Sequence, residues 1–505
     1  MTHEQTDAQA DAIIHEGQNN VIGNDEKTNL PGEDIGLEDG TAPRPLIRQE
    51  AEEPPDGGYG WVCVACVFLI NGHTWGVNSS YGIFLAYYLS HDYYPGATAL
   101  QYGFVGSLSI SIALCVSPLA TITTGRYGTR TTLAIGIVLE TAALLGASWA
   151  HRIWQLFLSQ GVCFGMGMGF LFVGSVGIIP QWFTKRRSFA NSIGTSGSGI
   201  GALMYSLATN AMIQSIGLGW AFRILAILSF SVNSICTILI RDRNEAVGAR
   251  QVPLDRKLFQ RVEYWLLLGW GTFSILGYII LLFSLPDYAS SIGLNASQGS
   301  IVGAMLNLGQ GIGRPLIGYF SDTVGRINIA LLSTFLAGLF CLVIWIFATS
   351  YGVLIFFALV GGCVAGTLWA VVAPVGAEVH GLRALPAALS MLWMILVVPA
   401  TFAEPIGLEL RITTETSGRY LHAQIFTGFM YMAAALCMWF IRAWKVKELL
   451  LAHETAASSG VSWDGEKREV ELRNDDAVPR RRASDPMSLK KKPNAWRGLW
   501  ALVRV

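Results

Sequence analysis

The sequence predicts an all-α membrane protein with twelve transmembrane helices in two six-helix, pseudo-symmetric halves. Charged residues make up 14% of the 505 residues, against about 25% in an ordinary soluble domain. Apolar residues make up 52%, and the charges concentrate towards the two ends of the chain. The body between the ends is therefore too apolar to face water on all sides. Its long unbroken apolar runs favour helices, because membrane barrels show short alternating segments.

Twelve apolar stretches are each long enough to cross a bilayer as a helix, which takes about 20 residues. They lie near residues 61–88, 99–123, 131–150, 154–179, 188–212, 219–240, 263–284, 298–320, 327–348, 352–374, 387–409 and 421–443. Five regions follow: a disordered acidic tail, the first half, a basic linker, the second half and a second disordered tail. We place these regions at residues 1–56, 57–240, 241–262, 263–444 and 445–505.

Basic residues in the loops predict that both termini face the cytoplasm. In that orientation thirteen Lys and Arg residues fall on inside loops, whereas only Arg152, Arg411 and Arg419 fall on outside loops. We therefore expect a multi-pass protein of the plasma membrane with both termini inside. The sequon Asn295-Ala296-Ser297 lies on a predicted outside loop, so Asn295 is a candidate glycosylation site.

The two halves carry a weak internal repeat. The segment 125–130, GRYGTR, follows the second span, and the segment 321–326, SDTVGR, follows the eighth. Two six-helix halves in the same orientation fit transporters that are built from parallel repeats. We expect Asp322 and Arg326, together with Arg126 and Arg130, to pair across the cytoplasmic face and hold it closed. Because Gly125 stands where the second half has the acidic Asp322, this latch should be asymmetric, with an acidic partner from the second half only.

Three further motifs carry a resemblance to a known family. The string PDGGYGW at residues 55–61 precedes the first span, and WFTKRR at 182–187 follows the fourth, with Ala190, Asn191 and the segment 194–197 after it. The third is Gly313-Arg314-Pro315 with Gly318 in the eighth span. Together these motifs resemble the monocarboxylate porter family of the major facilitator superfamily, most closely its fungal-type members. The resemblance covers about residues 55–445 and implies the major facilitator fold and a transport function.

Two positions depart from the pattern of the family members that carry lactate with a proton. Those members have a Lys late in the first helix, where this chain has Ser79. They also have an Asp one turn before the Arg of the eighth helix, where this chain has Gln310. Fungal-type members include carriers of riboflavin and of secondary metabolites, so the resemblance does not fix a monocarboxylate as the solute.

Arg314 is the main candidate for binding the solute. A guanidinium within an apolar span is costly unless it faces a cavity or a partner, and it can bind a carboxylate through two hydrogen bonds. Asn307 and Gln310 lie seven and four residues before it, so the three share one helical face. An alternative for the two amides is hydrogen bonding between helices.

Polar residues of the first helix add further candidates for the solute site: His73, Asn78, Ser79 and Tyr81. Polar atoms in a spanning helix must find partners inside the protein. Glu140 in the third helix and Glu404 in the eleventh are candidates for carrying a coupling proton, and a further candidate is His73, for which packing is the alternative. Glu404 precedes Pro405, so a helix-kink role is the alternative for it.

These features predict a secondary active transporter that exports a small organic solute, either an organic anion or a secondary metabolite, by rocker-switch alternating access. Its partners are the solute and the lipid bilayer. The glycine-rich runs 165–169 and 194–201 lack the Lys-Ser/Thr pair of a nucleotide loop, so we expect no ATP site, and we expect no cofactor, metal or nucleic acid. Alternatives are an importer of a monocarboxylate or riboflavin-like solute and a transporter-like sensor. An enzyme would need clustered catalytic residues, and the intramembrane Glu and His residues are scattered.

Overall fold

Helices make up almost all of the regular structure in the computed structural model, which describes residues 54–249, 251–411 and 420–458. The predicted disorder of residues 1–53 and 459–505 lies outside the described residues, as do Arg250 and Arg419. We use the word pass for a helical run from one end of the bundle to the other. The end that carries Gly60 and the linker is called the linker end.

The first half contains six passes, several of them built from consecutive short helices. The first pass consists of α1 (Gly60–His73), α2 (Trp75–Ser79) and α3 (Tyr81–His91), the second of α4 (Ala99–Cys115) and α5 (Ser117–Tyr127), and the third of α6 (Thr129–Ser148). The fourth pass consists of α7 (Ile153–Leu156), a π-helical turn (Phe157–Cys163), α8 (Phe164–Val176) and a 3₁₀ turn (Ile179–Gln181). The fifth pass is α9 (Arg187–Ile216), and the sixth is α10 (Leu218–Leu239).

The second half follows a linker whose described part contains one 3₁₀ turn, Leu258–Gln260. Its helices are α11 (Val262–Ser291), α12 (Ala296–Val324), α13 (Arg326–Phe340) with a π-helical turn (Cys341–Trp345), α14 (Tyr351–Ala365), α15 (Thr367–Glu409) and α16 (Leu421–Ser458). The long α15 is broken at Gly381, which has φ 77°. This break separates the tenth pass from the eleventh.

Eight helices of the described ranges are long and apolar enough to cross a membrane, or nine if a bent pair in the second pass counts as one span. One of the eight, Tyr351–Glu409, is 59 residues long and holds two passes because of the break at Gly381. The remaining two passes, α9 and α12, have 30 and 29 residues, enough to span, but many of those residues are polar or glycine. The chain is therefore a multi-pass membrane protein with the predicted twelve passes.

The helices α9 and α12 tolerate low hydropathy because they pack against each other between the two halves. A Cβ atom on Gly199 would lie 2.8 Å from the backbone N of Gly311, and one on Gly318 would lie 2.6 Å from the backbone O of Ser188. Small residues at such crossings let two helix backbones approach closely. The glycine-rich run 194–201 is thus a packing surface.

Equivalent turns in the two halves reflect the internal repeat. Gly128 and Gly325 have φ values of 85° and 121°, and each precedes the first residue of a helix, α6 and α13 respectively. Glycine reaches this backbone region without the steric penalty that a Cβ atom imposes. The aligned glycines therefore serve the same turn in both halves.

The last helix is longer than the sequence suggested. The predicted span ends near residue 443 and the predicted tail begins at 445, whereas α16 continues to Ser458. Lys445 is buried and forms an ion pair of 2.8 Å with Glu448, one turn further on. Helix-forming residues after the apolar run extend the helix, so α16 runs past the residue at which the predicted tail begins.

Candidate solute-binding cavity

A cavity of about 1070 Å³ lies between the two halves. Its lining comes mainly from α1–α3 and α9 of the first half and from α11, α12 and α15 of the second. The lining reaches His91, Gln214 and Ser297, which lie at the ends of their helices furthest from the linker. We call this end of the bundle the mouth end. The volume is at the upper limit of typical drug-sized pockets.

Arg314 lies at the deep end of this cavity and is only 4% exposed. Its Nη1 atom donates to the backbone O of Thr195 at 2.7 Å and to the hydroxyl of Ser198, and its Nη2 atom donates to Oε1 of Gln310 at 2.8 Å. All three acceptors are neutral, and no carboxylate of the described residues forms an ion pair with Arg314. Its Nε atom is buried without a hydrogen-bond partner. The guanidinium therefore keeps an uncompensated charge beside the cavity.

Gln310 and Asn307 continue this polar surface along α12. Gln310 accepts a second hydrogen bond from the hydroxyl of Tyr278 at 2.9 Å and donates from Nε2 to Oδ1 of Asn307 at 3.4 Å. Both residues line the cavity, as the shared helical face predicted, and so does Tyr278. Sequence reasoning missed Tyr278, Thr195 and Ser198, because single polar residues in apolar or glycine-rich runs give no distinct signal.

The first pass contributes only part of what was predicted. Asn78 and Ser79 line the cavity, but Tyr81 is buried and its hydroxyl donates to the backbone O of Tyr102 at 2.6 Å. His73 lies away from the cavity and forms a hydrogen bond of 2.8 Å with the backbone O of Leu69. Tyr81 and His73 therefore do not line this cavity. The residues of this pass that line the cavity include Asn71, Trp75, Asn78 and Gly82, which follow at helical spacing, and His73 and Tyr81 lie on other faces of the helix.

The two proton-coupling candidates lie in different surroundings. Glu404 lines the cavity and accepts a hydrogen bond from the Ser107 hydroxyl at 3.1 Å. Glu140 is buried inside the first half, where its Oε2 atom accepts from Nδ2 of Asn233 at 2.9 Å. Gly167 packs directly against the backbone of Glu140. Only Glu404 can meet a solute or water in this cavity.

Aromatic side chains separate the cavity from the linker end. Trp75 and Phe172 of the first half meet Trp369 and Trp393 of the second, and we call these four residues the aromatic plug. Ring centroids of Trp75 and Trp369 are 5.1 Å apart, as are those of Phe172 and Trp393, and Trp369 stacks on Trp393 at 5.5 Å. Both cross-contacts join the halves, so the plug must separate if the linker end opens. No spacing of aromatic residues along the chain identifies these four residues in advance.

At the linker end, α12 closes against the start of α9. Asp322 accepts hydrogen bonds from the backbone N–H groups of Ser188 at 3.0 Å and Phe189 at 2.8 Å. A carboxylate is stabilised there by the free N–H groups of a helix N-terminus. Arg326 forms an ion pair of 2.7 Å with Glu378 of α15 and donates to the backbone O of Thr184 at 2.6 Å. Glu378 was not foreseen as a member of this latch.

The arginines of the first half do not join the latch. Arg126 is exposed and makes no hydrogen bond or ion pair with any described residue, and Arg130 donates to the backbone O atoms of Ile238 and Ile240. Gly125, which aligns with Asp322, is covered by the linker instead. A Cβ atom on Gly125 would lie 2.9 Å from Cβ of Gln251 in the linker. The predicted pairing of Arg126 and Arg130 across the face was therefore wrong.

The candidate glycosylation residue lies at the mouth end. Asn295 is exposed and its side chain caps α12 by accepting from the backbone N of Gln298 at 2.8 Å. The cap uses the side-chain oxygen and leaves the nitrogen, the atom that a glycan would modify. Glycosylation of Asn295 stays a prediction.

Comparison with known proteins identifies fungal relatives. This chain is 34% identical over 414 residues to "Probable transporter MCH2" of Saccharomyces cerevisiae, and the alignment covers 81% of this chain and 87% of the relative. "Uncharacterized transporter ESBP6" of the same yeast is 33% identical over 449 residues, which is 85% of this chain and 65% of the relative. The "Fujikurins efflux protein" of Gibberella fujikuroi is 27% identical over 395 residues, or 76% of this chain and 83% of the relative.

The fold is similar to that of the solved proton:xylose symporter XylE, with a TM-score of 0.61 over 75% of this chain and 95% of that one. Because sequence identity in that comparison is 14%, it supports the fold alone. The profile described as "Major Facilitator Superfamily" matches residues 63–275 and 266–503. The resemblance drawn from the sequence motifs is thereby confirmed: the chain belongs to the Major Facilitator Superfamily, and it is a membrane transporter and not an enzyme.

Proposed function

We propose that this protein is a secondary active transporter of an organic anion with a sizeable apolar body, which it exports across the plasma membrane. The acid group of the solute binds Arg314, and the apolar body packs against the aromatic wall of the cavity. The two halves rock about this site, and both termini face the cytoplasm. The solute class rests on the cavity, and the direction rests on the relatives.

The uncompensated charge of Arg314 carries the proposal. Burying a charge without a counter-charge is costly, by several kcal/mol per ion even after relaxation, and its three acceptors are neutral groups. An anionic solute would supply the missing negative charge. A guanidinium also matches the planar geometry of a carboxylate and can donate two parallel hydrogen bonds to it.

The size and lining of the cavity favour a solute larger than lactate. The volume of about 1070 Å³ would leave a short carboxylate loosely held, and Trp75, Phe172 and Trp369 present large aromatic surfaces to it. Aromatic side chains contribute most to binding when they bury apolar area of a ligand. Ser79 and Gln310 also replace the pair that the resemblance associates with lactate and proton transport.

The contacts at the two ends support alternating access. The mouth end is open to the cavity, whereas the Asp322 and Arg326 contacts and the aromatic plug close the linker end. Rocking one half against the other would break these contacts and bring the mouth ends of the helices together. Export is favoured because one relative is named an efflux protein.

A matched pair of probes tests the proposed site. 2-Naphthoate and the neutral 2-naphthamide have nearly the same shape, so their affinities differ mainly through the charge. We expect purified protein in lipid nanodiscs to bind naphthoate at least tenfold more tightly than naphthamide, as measured by calorimetric titration. Arg314→Lys should weaken this preference, because lysine keeps the positive charge but cannot donate two parallel hydrogen bonds from one planar group. Arg314→Gln should abolish the preference.

Arg223→Lys is the matched control. Arg223 lies against Trp149 and Trp220, with its Cζ atom 4.8 and 5.0 Å from their ring centroids, and does not line the cavity. Its replacement should leave the naphthoate preference unchanged. Equal affinity of the wild-type protein for naphthoate and naphthamide would contradict the proposed solute class.

A further inference from the structure

Glu404 is the one carboxylate among the described residues that line the cavity. It belongs to α15 of the second half, and the hydroxyl of Ser107 in α4 of the first half donates to its Oε2 atom at 3.1 Å. This hydrogen bond therefore joins the two halves. Glu404 lies only five residues before the end of α15 at Glu409, which places it near the mouth end.

The bond is part of a seam between α4 and α15. One turn deeper, the hydroxyls of Ser111 and Thr401 are 2.7 Å apart. Deeper still, the hydroxyl of Ser117 in α5 donates to the backbone O of Ser390 at 2.9 Å. Glu404 is thus an ionisable group at the mouth-end limit of a seam whose other members are neutral. Its surroundings must change when the mouth end closes.

We propose that Glu404 is the proton-binding site of this transporter, ionised while the cavity is open to water and protonated while the mouth end is closed. The inference rests on the proposed rocking of the two halves. Closing the mouth end removes water from Glu404, and enclosing a carboxylate without a counter-charge is costly, whereas a neutral carboxyl group is not. Protonation of Glu404 therefore favours closure.

The proton step needs no other reactant. A proton from the water in the cavity adds to a carboxylate oxygen of Glu404, and it returns to water when the group is next exposed. Ser107 can serve both forms, because its hydroxyl is also 3.2 Å from the backbone O of Gly103. It donates to the ionised carboxylate, and it can accept from the protonated one while donating to Gly103.

The neighbouring charges do not neutralise Glu404. Two ionisable groups interact with Glu404 electrostatically, Tyr81 of α3 and Arg411, which follows α15. The other ionisable groups that line the cavity are Tyr87, His91, Tyr278 and Arg314. Arg411 is paired with Asp287 at 2.6 Å. Glu404 itself forms no ion pair with the described residues.

Arg314 is too deep to pair with Glu404. Arg314 follows the start of α12 at Ala296 by 18 residues, or about 27 Å of helix at about 1.5 Å per residue. Glu404 is about 8 Å from the end of its own helix by the same measure. The anion site and the proton site are therefore separate, and both can be occupied in one transport cycle.

Glu140 provides a matched control for this assignment. It is as deeply buried as any carboxylate described here, but all of its contacts lie within the first half, with Asn233 of α10 and Gly167 of α8. Because a half moves as a unit during rocking, closure of the mouth end does not change those contacts. Its protonation state should therefore be independent of the conformation of the cavity.

Infrared spectroscopy of the protein in nanodiscs tests proton binding directly. The carbonyl stretch of a protonated carboxyl group that faces little water should appear as the pH is lowered. We expect one component of this band to titrate in the wild-type protein and in Glu140→Gln and to be missing in Glu404→Gln. A titrating band that is lost in Glu140→Gln and kept in Glu404→Gln would overturn the proposal.

Thiol labelling tests whether the proton closes the cavity. Asn210→Cys places a thiol on the exposed cavity wall of α9, and Thr349→Cys places one on an exposed loop at the same end. The ratio of their labelling rates with a charged maleimide corrects for the pH dependence of the reagent, and the parent chain gives the background. We expect this ratio to fall at least fivefold as the pH is lowered.

The same ratio should be low and independent of pH in Glu404→Gln, because Gln imitates the protonated state, and it should follow the wild type in Glu140→Gln. A ratio that falls with pH in Glu404→Gln as it does in the wild type would overturn the proposal. This outcome is distinct from failure of the proposed function. That function is tested separately, by the ratio of naphthoate to naphthamide affinity and its dependence on Arg314.

Discussion

A Cβ atom on Gly366 would lie 2.9 Å from the Nε atom of Arg314. The glycine stands at the junction of α14 and α15, directly across from the guanidinium. Its φ of −84° is open to any residue, so space alone requires glycine there. The position of Arg314 thus depends on a residue 52 positions further along the chain.

Gly366→Ala should weaken binding of 2-naphthoate by about tenfold. The added methyl group forces the guanidinium away from Gln310 and Ser198, and overpacking of this kind costs typically 1–3 kcal/mol. Calorimetric titration of the purified variant measures the change. Gly352→Ala is the control, because no atom lies within 4 Å of a Cβ there. Unchanged naphthoate affinity in Gly366→Ala would show that Arg314 does not contact the probe.

Trp369→Ala should weaken binding of naphthoate and naphthamide equally. Trp369 lines the cavity and belongs to the aromatic plug, so its loss removes apolar contact and leaves Arg314 in place. Fully burying a large apolar side chain contributes about 1.5–3 kcal/mol, and we expect each affinity to fall by roughly tenfold with the charge preference retained. Trp154, exposed by 56% and distant from the cavity, supplies the control Trp154→Ala.

Asp322→Asn should loosen the linker end. The substitution removes the charge that holds the N–H groups of Ser188 and Phe189 and the pairing with Arg326 at 3.4 Å, and charge-assisted hydrogen bonds contribute about 1.5–3 kcal/mol each. Ser192 is fully buried in the wild-type protein. A thiol introduced there by Ser192→Cys should react with a maleimide several-fold faster in the Asp322→Asn background than in the wild-type background. Asp255→Asn, which alters a linker turn, should leave the rate unchanged. Equal rates in both variants would exclude Asp322 from the latch.

The sequence predicted the twelve passes and the polar face of α12 because both depend on local patterns. Length and hydropathy define a spanning helix, and a spacing of four and seven residues places Gln310 and Asn307 beside Arg314. The first pass is one run of 26 residues, Gly60–Leu85, and its cavity-lining residues Asn71, Asn78 and Gly82 also follow at helical spacing. His73 and Tyr81 lie on other faces of this run. Which face of a spanning helix meets the cavity depends on packing against other helices, and the sequence pattern of the pass does not show it.

Contacts between distant segments were also beyond the sequence. Tyr278, Glu378 and Gly366 are isolated residues in apolar runs, and only the fold brings them to Gln310, Arg326 and Arg314. The sequence likewise could not show which of two intramembrane carboxylates faces the cavity. Glu404 and Glu140 both lie within spans, but only the arrangement of the halves exposes one of them.

Labelling of intact cells should show that both termini are cytoplasmic. Ser290 is exposed at the mouth end and Arg256 is exposed in the linker. Because most loop Lys and Arg residues lie at the linker end, a membrane-impermeant maleimide should react with Ser290→Cys and not with Arg256→Cys above the background of the parent chain. Permeabilised cells give the control, in which both thiols should react. The reverse pattern would refute the orientation.

A proton gradient should not drive lactate into liposomes that contain this protein. The lactate mechanism that the family resemblance implies needs a proton on a Lys in the first helix and on an Asp beside the Arg of the eighth. Ser79 and Gln310 hold those positions, and neither side chain ionises near neutral pH. A cavity of about 1070 Å³ also holds so small an anion loosely. We expect uptake no faster than with Arg314→Ala liposomes. Rapid proton-driven lactate uptake that persists in Glu140→Gln and in Glu404→Gln would show that the two missing residues were never required.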